Sequence, residues 1–591
     1  MAFDGIVTKA ICSELNELCD AKITKIFQPN KNDVVLGLYF QGSNYALNIC
    51  TDSQYYRLHL TTHSKPNPQV APNFCMVLRK HLIGLHIKNI ITNNLERVVT
   101  IEFEGFDDIN DIVLKKLVIE LMGKHCNIIL LDDQNFIIDS LRHIHSENST
   151  RVITPHVKYS YPTTDKVNFL DCSSFQEFRQ LIYTQNSYID FANVSKIISK
   201  TFNGISHSFI ENALNYLGIT EINDTSLEKI YAFTKDIVNR TDNLQLQFET
   251  FNDKDYALIP CDDYENLSLN FFIDDFYYNK ETSEEFKSYR NSVLKLILVV
   301  LKKYKNRLLN INQKLKDCEN KDTYKLYGEL ITANLYKFKN DNLSEITVEN
   351  YYNNNAPITI PLNTRYNLSD NARLYFKKYN KLKNTLNIVG IQKKETLNEL
   401  DYIESVVYEL ENAKTIQEVS DIFEEISEND IFKEQTDKYK IKHKTAKVKK
   451  STLTKNKLVS FNPLKYTIDN FTLYVGRNNK ENDYLTLKFA KKTDLWFHTK
   501  DIHGSHAILK LTGNIKPDND VLIKCAEIVA YHSKARNSSN VPVDICEVKY
   551  VKKPNGAKPG MVIYSNNITL NVQPKESWSI IKPLHKSYFL V

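Results

Sequence analysis

The spacing of apolar residues along this chain changes several times, and those changes divide it. Residues 1–170 read as an α/β module. In "DGIVTKAICSELNELC", Ile6, Ala10, Leu15 and Leu18 fall at roughly helical spacing, which predicts an amphipathic helix. "DVVLGLYFQGSNYALNIC" predicts strand, short turn and strand, with the turn at Gly42-Ser43-Asn44. In "RVVTIEFEG", Val99, Ile101 and Phe103 alternate with polar positions, as on a strand with one buried face. "CNIILLDDQNFIIDSL" predicts a hairpin turning at Asp132-Asp133-Gln134-Asn135.

Residues 171–275 turn helical and then mixed. "VSKIISKTFNGISHSFIENALNYLGI" predicts two short helices joined at Asn203-Gly204-Ile205-Ser206. Two readings fit: a helix-hairpin-helix, whose turn offers backbone N–H groups to a phosphate, or an ordinary αα-hairpin.

Residues 280–435 carry the strongest period. Apolar positions recur at Phe286, Tyr289, Val293, Leu296, Val300, Tyr304, Leu308, Ile311 and Leu315, in steps of three and four. A second series runs through Tyr375, Tyr379, Leu382, Leu386 and Val389, then Leu400, Ile403, Val407 and Leu410, with Lys393 and Thr396 at seam positions between. Both are heptad seams, and a helix of ~40 residues is on the order of 60 Å long. An antiparallel coiled coil within the chain is the simplest closure, with dimerisation its rival. The connector near 322–370 holds "YGELITANLYKFK", "EITVENYYNNN" and "PITIPL", which predict a structured tip of helix and short strands.

Residues 436–459 are lysine-rich and nearly without apolar positions, a basic linker that is either solvated or in contact with RNA. Residues 460–591 return to α/β. "NFTLYVGRN" predicts a strand, "DLWFHTKDIHGSHAIL" a strand pair, and "DNDVLIKCAEIVAYHSKAR" an amphipathic helix. The fold class is therefore α+β and multidomain, as expected for 591 residues, too many for one core.

Composition narrows the chemistry. A net charge of +5 on a chain with 25% charged residues is not that of a uniformly basic nucleic-acid binder, so any such role rests on local patches. The first residues lack the basic and apolar regions of a secretory signal, and "VLKLILVVL" is too short to span a bilayer. Ten cysteines without a CxxC pair suit reduced thiols in a cytoplasm. No membrane partner is expected.

Candidate chemistry concentrates between Asp494 and Leu509. By strand parity Trp496, His498 and Lys500 share one face, suited to stacking on bases and pairing with phosphate. His506 opens the returning strand. His498, His503 and His506 follow no familiar ligand spacing, and no acidic or cysteine pair joins them, so no metal is expected. Ser505 lacks the flanking glycines of a nucleophile elbow. No catalytic residue emerges. "VKKPNGAKPG" sets Lys552, Lys553 and Lys558 around two turns, either a phosphate-contact loop or a hairpin with incidental lysines.

Together the motifs resemble the NFACT family. "MAFDGIVTKAI", "FCMVLRKHLIG", "ERVVTIEF" and "ELMGKHCNIILLD" resemble its N-terminal domain; "YGELITANLY", "VENYY" and "NARLYFKKYNKLK" its coiled-coil middle; "DLWFHTKDIHGSHAIL" and "GAKPGMVIY" its RNA-binding NFACT-R domain. The resemblance spans nearly the whole chain in the family's order. It implies an N-terminal domain like the formamidopyrimidine-type DNA glycosylases, although Met1-Ala2-Phe3-Asp4 lacks their proline nucleophile and glutamate. It implies a cytoplasmic, ribosome-associated quality-control factor whose partners are the large ribosomal subunit, with its rRNA and proteins, a peptidyl-tRNA nascent-chain complex, and tRNA, in particular alanine tRNA. Alanine tailing is then carried out by the ribosome, and the chain needs neither catalytic residue nor cofactor. The family's Asp-Arg pair for tRNA engagement matches Glu96-Arg97, with a carboxylate one methylene longer. An older family label, fibronectin-binding protein A, makes a surface adhesin the rival reading.

Overall fold

A computed structural model describes residues 3–106, 111–145, 151–184, 188–251, 255–261, 268–338, 343–442, 461–511 and 516–576. The chain divides into two compact units, 1–283 and 284–591.

The first unit opens with α1 (Gly5–Leu15), which buries Ile6, Val7, Ala10, Ile11 and Leu15. Asp4 caps it, accepting from the Ile6 and Val7 N–H groups at 3.1 Å each. Nine strands follow: β1 (Lys22–Phe27), β2 (Asp33–Phe40), β3 (Ser43–Cys50), β4 (Arg57–Leu60), β5 (His86–Thr92), β6 (Val98–Phe106), β7 (Ile112–Glu120), β8 (Asn127–Leu131) and β9 (Ile137–Ser140), with α2 (Asn73–Leu82) between β4 and β5. They form one sheet in the order β4-β3-β2-β1-β5-β6-β7-β8-β9. The β2–β3 turn is the pair Gln41-Gly42, both with positive φ (46° and 83°), which matches the twist of the flanking strands; Ser43 and Asn44 already belong to β3. Val99, Ile101 and Phe103 are fully buried as their alternation predicts. Val98, on the opposite face, is also buried, in a second cluster with Val118, Ile129 and Ile137.

A helical layer follows: the short parallel pair β10 (Val167–Asn168) and β11 (Phe202–Asn203), with α3 (Phe175–Thr184), α4 (Val194–Thr201), α5 (His207–Tyr216) and α6 (Asp224–Arg240). The hairpin β12 (Leu246–Phe251) and β13 (Asp255–Pro260) comes next. The core of the unit is continuous from Phe3 to Tyr277. It includes the start of α7 (Leu269–Asp317), which begins well before the first heptad position at Phe286. Asn270 and Asp274 tie that start to the end of β4: the Leu60 N–H donates to Asn270 at 2.9 Å and the Thr62 N–H to Asp274 at 2.7 Å.

In the second unit α7 packs on α9 (Leu368–Asn412). Val293, Leu296, Ile297 and Val300 share a cluster with Tyr402, Ile403, Val406 and Leu410. The ion pairs Lys305–Glu404 (3.3 Å) and Arg307–Glu399 (3.5 Å) show that the two helices run in opposite directions. Thr396 is completely buried at its seam position. Between the helices lie α8 (Lys321–Ala333) and the hairpin β14 (Glu345–Asn350) and β15 (Ala356–Pro361), which share a small core with the start of α9. α10 (Ile416–Ser427) and α11 (Lys433–Lys442) close this part. Residues 436–442 of the lysine-rich segment are thus helical, and 443–460 lie outside the described residues.

The C-terminal sheet has the order β16-β17-β19-β18-β20-β23, from β16 (Leu464–Ile468), β17 (Phe471–Val475), β18 (Leu495–Thr499), β19 (Ala507–Lys510), β20 (Val541–Glu547) and β23 (Ile568–Val572). α12 (Asn479–Tyr484) runs into a π-turn, 485–489, before β18. α13 (Asn519–Tyr531) covers one face, where Phe497, Leu509 and Val543 meet Val521, Cys525 and Val529. The other face is covered by Leu485 of the π-turn and by Val548 and Val551, which pack on Trp496 and Ile508. The small hairpin β21 (Val551–Lys552) and β22 (Ile563–Tyr564) adjoins it.

Candidate nucleic-acid interface

Glu96 and Arg97 sit in the turn that feeds β6. Leu95 is buried beneath them, and the Leu121 N–H donates to the Arg97 carbonyl at 2.8 Å. The Arg97 guanidinium donates to the Tyr56 hydroxyl at 2.9 Å. Glu96 does not pair with it: among the described residues its buried Oε2 has no hydrogen-bond partner, and burial raises its carboxyl above the ordinary value, opposed by an Asn93 hydrogen bond.

The α4–α5 turn closes on the same place. Gly204 has φ +77°, and a Cβ there would lie 2.1 Å from the Leu95 carbonyl oxygen. Its own carbonyl accepts from the Gly5 N–H at 2.9 Å. Ser206 caps α5 and donates to Asp4 Oδ2 at 2.6 Å. Burial raises the Asp4 carboxyl, against its hydrogen bonds and the charge of Arg97. Lys166 is held by the Ser199 carbonyl at 2.7 Å, and its pKa is lowered by burial and then by Arg97. Arg97, Lys166 and the Gly204 turn therefore form one local site. Neither Tyr56 nor Lys166 carries a sequence signal, because both come from segments distant in the chain.

The C-terminal candidates are placed differently from expectation. Trp496 and His498 do share a face and stack, with centroids 5.6 Å apart and planes at 17°. That face is covered rather than open: Trp496 has no exposure, so it cannot serve as an open platform for a base. His506 is 2% exposed, sits edge-on to both rings, and has Nδ1 2.9 Å from the Thr486 hydroxyl. Burial lowers His498 to about 4 and His506 to about 3, so both imidazoles are neutral at neutral pH.

The lysines separate into two sets. Lys500 and Lys552 are exposed. Lys553 pairs with Asp483, whose other oxygen accepts from the Gly560 N–H at 3.1 Å. Lys558 donates to Asn429 at 3.2 Å. The 553–560 loop is thereby pinned beside His506.

His503 turns away to Asp401 (3.5 Å) and Glu404 (3.9 Å), so the three histidines of this stretch do not gather as ligands. Among the described residues, His63, Asp274 and Asp275 are the group whose ligand atoms lie within 4.8 Å of one another. Asp274 there already accepts from Thr61 and Thr62. No helix of the described residues is long and apolar enough to cross a membrane.

A sheet module with basic rim residues, preceded by a long helical pair and an α/β module, defines the class. Residues 4–445 match the NFACT N-terminal and middle domains, and residues 457–566 match the NFACT protein RNA binding domain. The chain belongs to the NFACT family. It is 34% identical to the Rqc2 homolog RqcH of Bacillus subtilis, over 97% of this chain and 98% of that one. It is 33% identical to the Rqc2 homolog RqcH of Streptococcus suis, over 98% and 99%. A solved structure titled as the C-terminal part of the fibronectin/fibrinogen-binding protein of Streptococcus suis covers 50% of this chain and 96% of its own, at 31% identity and a TM-score of 0.37.

Proposed function

We propose that this chain is a ribosome quality-control factor of the RqcH kind. In this reading it binds large ribosomal subunits obstructed by peptidyl-tRNA and recruits alanyl-tRNA for untemplated alanine tailing of the stalled chain. The observation that carries the proposal is the identity of 34% across 97% of the chain to an RqcH, joined to an RNA binding domain at residues 457–566.

The N-terminal unit is read as a formamidopyrimidine-glycosylase-like module followed by a helix-hairpin-helix centred on Gly204. Arg97 and Glu96 form its tRNA contact. A cation held 2.9 Å from the Tyr56 hydroxyl, beside Lys166, supports this, since a fixed guanidinium suits a phosphate or base edge. The helical pair α7–α9 is read as a coiled-coil arm with a structured tip. Lys500 and Lys552 are read as phosphate contacts of the RNA binding domain. The reading asks no chemistry of the chain itself, because peptide transfer falls to the ribosome.

The test is recovery of the protein from cells and sequencing of its bound RNA, with the expected yield being large-subunit rRNA and alanine tRNA. Arg97→Ala should lose tRNA and tailing while keeping the subunit. A variant that still tails normally overturns the assignment of Arg97, and absence of rRNA overturns the function.

A further inference from the structure

Where the α9–α10 turn meets the end of α13, the second unit holds a cavity of about 270 Å³. Pockets that enclose a whole ligand of drug size measure ~300–1,000 Å³, so this one suits a small group carried by something larger. Two segments are tied together in its wall: the Ser505 N–H donates to the His532 carbonyl at 3.0 Å, and the Lys534 N–H to the His503 carbonyl at 2.9 Å. Tyr408, Lys414 and Arg536 line the same cavity as Ser505 and His532. Among the described residues, the side chains of Tyr408, Lys414 and Ser505 have no hydrogen bond or ion pair. Arg536 lies over the Tyr531 ring at 4.3 Å and donates to Asn412 Oδ1 at 3.5 Å, with no carboxylate partner among the described residues. The acids of the wall are mostly engaged. Glu418 pairs with Arg477 at 3.2 Å, Arg477 is shared with Glu481, and burial lifts the Glu409 carboxyl well above the usual carboxylate range. Glu411 is the exposed acid that remains. Burial first, then the charges of Arg536 and Lys414, lower His532 to about 4, and no acid is among the charges that act on it. This side of the cavity is therefore rich in donors and in cations without counter-ions.

We infer that this cavity receives one backbone phosphate of a bound RNA strand, paired with Arg536 and Lys414 and hydrogen-bonded by Ser505 and Tyr408. Phosphate contacts draw on Arg, Lys, Ser and Tyr side chains, and a guanidinium without a carboxylate partner offers two N–H groups to two oxygens. The inference rests on the proposed RNA-binding function and gives it a phosphate site apart from Lys500 and Lys552. It also gives a role to Ser505, which the catalytic reading of its stretch leaves without one.

The test follows binding of the full chain to a uridylate octamer from low to high salt. Each phosphate neutralised on a single strand contributes about 0.7 to the slope of log affinity against log salt. The double variant Lys414→Gln with Arg536→Gln should lower that slope by about 0.7, because both cations serve one phosphate. Lys414→Gln alone, at an exposed position, should lower it by part of that amount and keep the wild-type melting temperature, so the result does not depend on how Arg536→Gln folds. Ser505→Ala should weaken binding about fivefold at every salt concentration with the slope unchanged, as the loss of one uncharged donor does. A slope unchanged in every variant overturns the site and leaves RNA binding standing. A loss of about 1.4 in the double variant overturns it in favour of two separate surface contacts. Inorganic phosphate that raises the melting temperature of the wild type but not of the double variant, with the RNA slope unchanged, overturns it in favour of a free-anion site. No binding of the octamer by the wild type overturns the RNA reading and the site together.

Discussion

Trp496 stacks on His498 at 5.6 Å between centroids, and the Trp496 ring is enclosed by the segments that carry Leu485 and Val551. Trp496 is thus a core residue of the RNA binding domain. Trp496→Ala should cost about 3–5 kcal/mol, as large aromatic truncations in cores do. Denaturant titration should show this loss with RNA affinity falling only as far as the folded fraction falls. A variant with wild-type stability and no RNA binding would reverse the conclusion.

The two sets of lysines should respond differently. Lys500 and Lys552 are exposed, and among the described residues neither forms an ion pair. Lys500→Ala and Lys552→Ala should leave the melting temperature unchanged and reduce the salt slope of RNA binding by about one each. Lys553 shares Asp483 with the Gly560 N–H. Lys553→Ala should lower stability, because Asp483 is left half-buried with one partner removed, and loosen the 553–560 loop. Affinity measured between low and high salt, together with thermal melts, separates the two behaviours.

Sequence pattern reached the elements with a strong period and stopped where coverage depends on distant segments. Val99, Ile101 and Phe103 announce β6 because one face is uniformly apolar. β1 and β5, "KITKIF" and "HIKNIIT", bury only two residues each and leave no clear alternation. The heptad seam placed α7 and α9, including Thr396, yet missed the first turns of α7, whose contacts are to β4 rather than to a helix. Parity correctly joined Trp496 and His498 on one face. It could not report that Leu485, Val548 and Val551 cover that face, since those residues lie before and after β18 in the chain. Arg97 is singled out in the sequence only through family resemblance, because its partners Tyr56 and Lys166 come from elsewhere in the fold.

Gly204 and Gly218 offer a controlled comparison. Both have positive φ, 77° and 63°. A Cβ at Gly218 meets nothing within 4 Å, whereas one at Gly204 meets the Leu95 carbonyl oxygen at 2.1 Å. Gly218→Ala should therefore cost only the left-handed backbone term, about 1–2 kcal/mol. Gly204→Ala adds a backbone collision beside Glu96 and Arg97 and should cost about 3 kcal/mol or more. On the proposed function it should also weaken tRNA binding, by shifting Arg97. Equal melting temperatures for the two variants would remove the close packing of the α4–α5 turn from the account.

Glu425 lies 3% exposed where α10 meets α9 and α12, accepting from the Tyr402 hydroxyl at 2.8 Å and from Asn479 at 3.4 Å. Among the described residues its other oxygen has no partner, nor does Oε2 of buried Glu409. Burial raises Glu425 from 4.5 to about 6, against the hydrogen bonds and Lys480, with Asp483 adding to the rise. Glu409 is raised as well, by burial and then by Glu425. Between the two Glu425 values the folded chain holds a proton that the unfolded chain has released. Stability from this group is therefore full below about pH 4.5, falls as pH rises to about 6, and stays low above, a difference of about 2 kcal/mol. Glu425→Gln keeps the oxygen that Tyr402 and Asn479 use and removes the titration. The variant should exceed the wild type by about 2 kcal/mol at pH 8 and match it near pH 4. Denaturant unfolding across that range tests the sign directly, because the lowered histidines at 498 and 506 drive stability the opposite way, lost as pH falls below about 6.5, and cancel in the difference between the two proteins. A difference that does not change with pH would show that Glu425 binds its proton equally well in the folded and unfolded chains, and would remove the effect of burial.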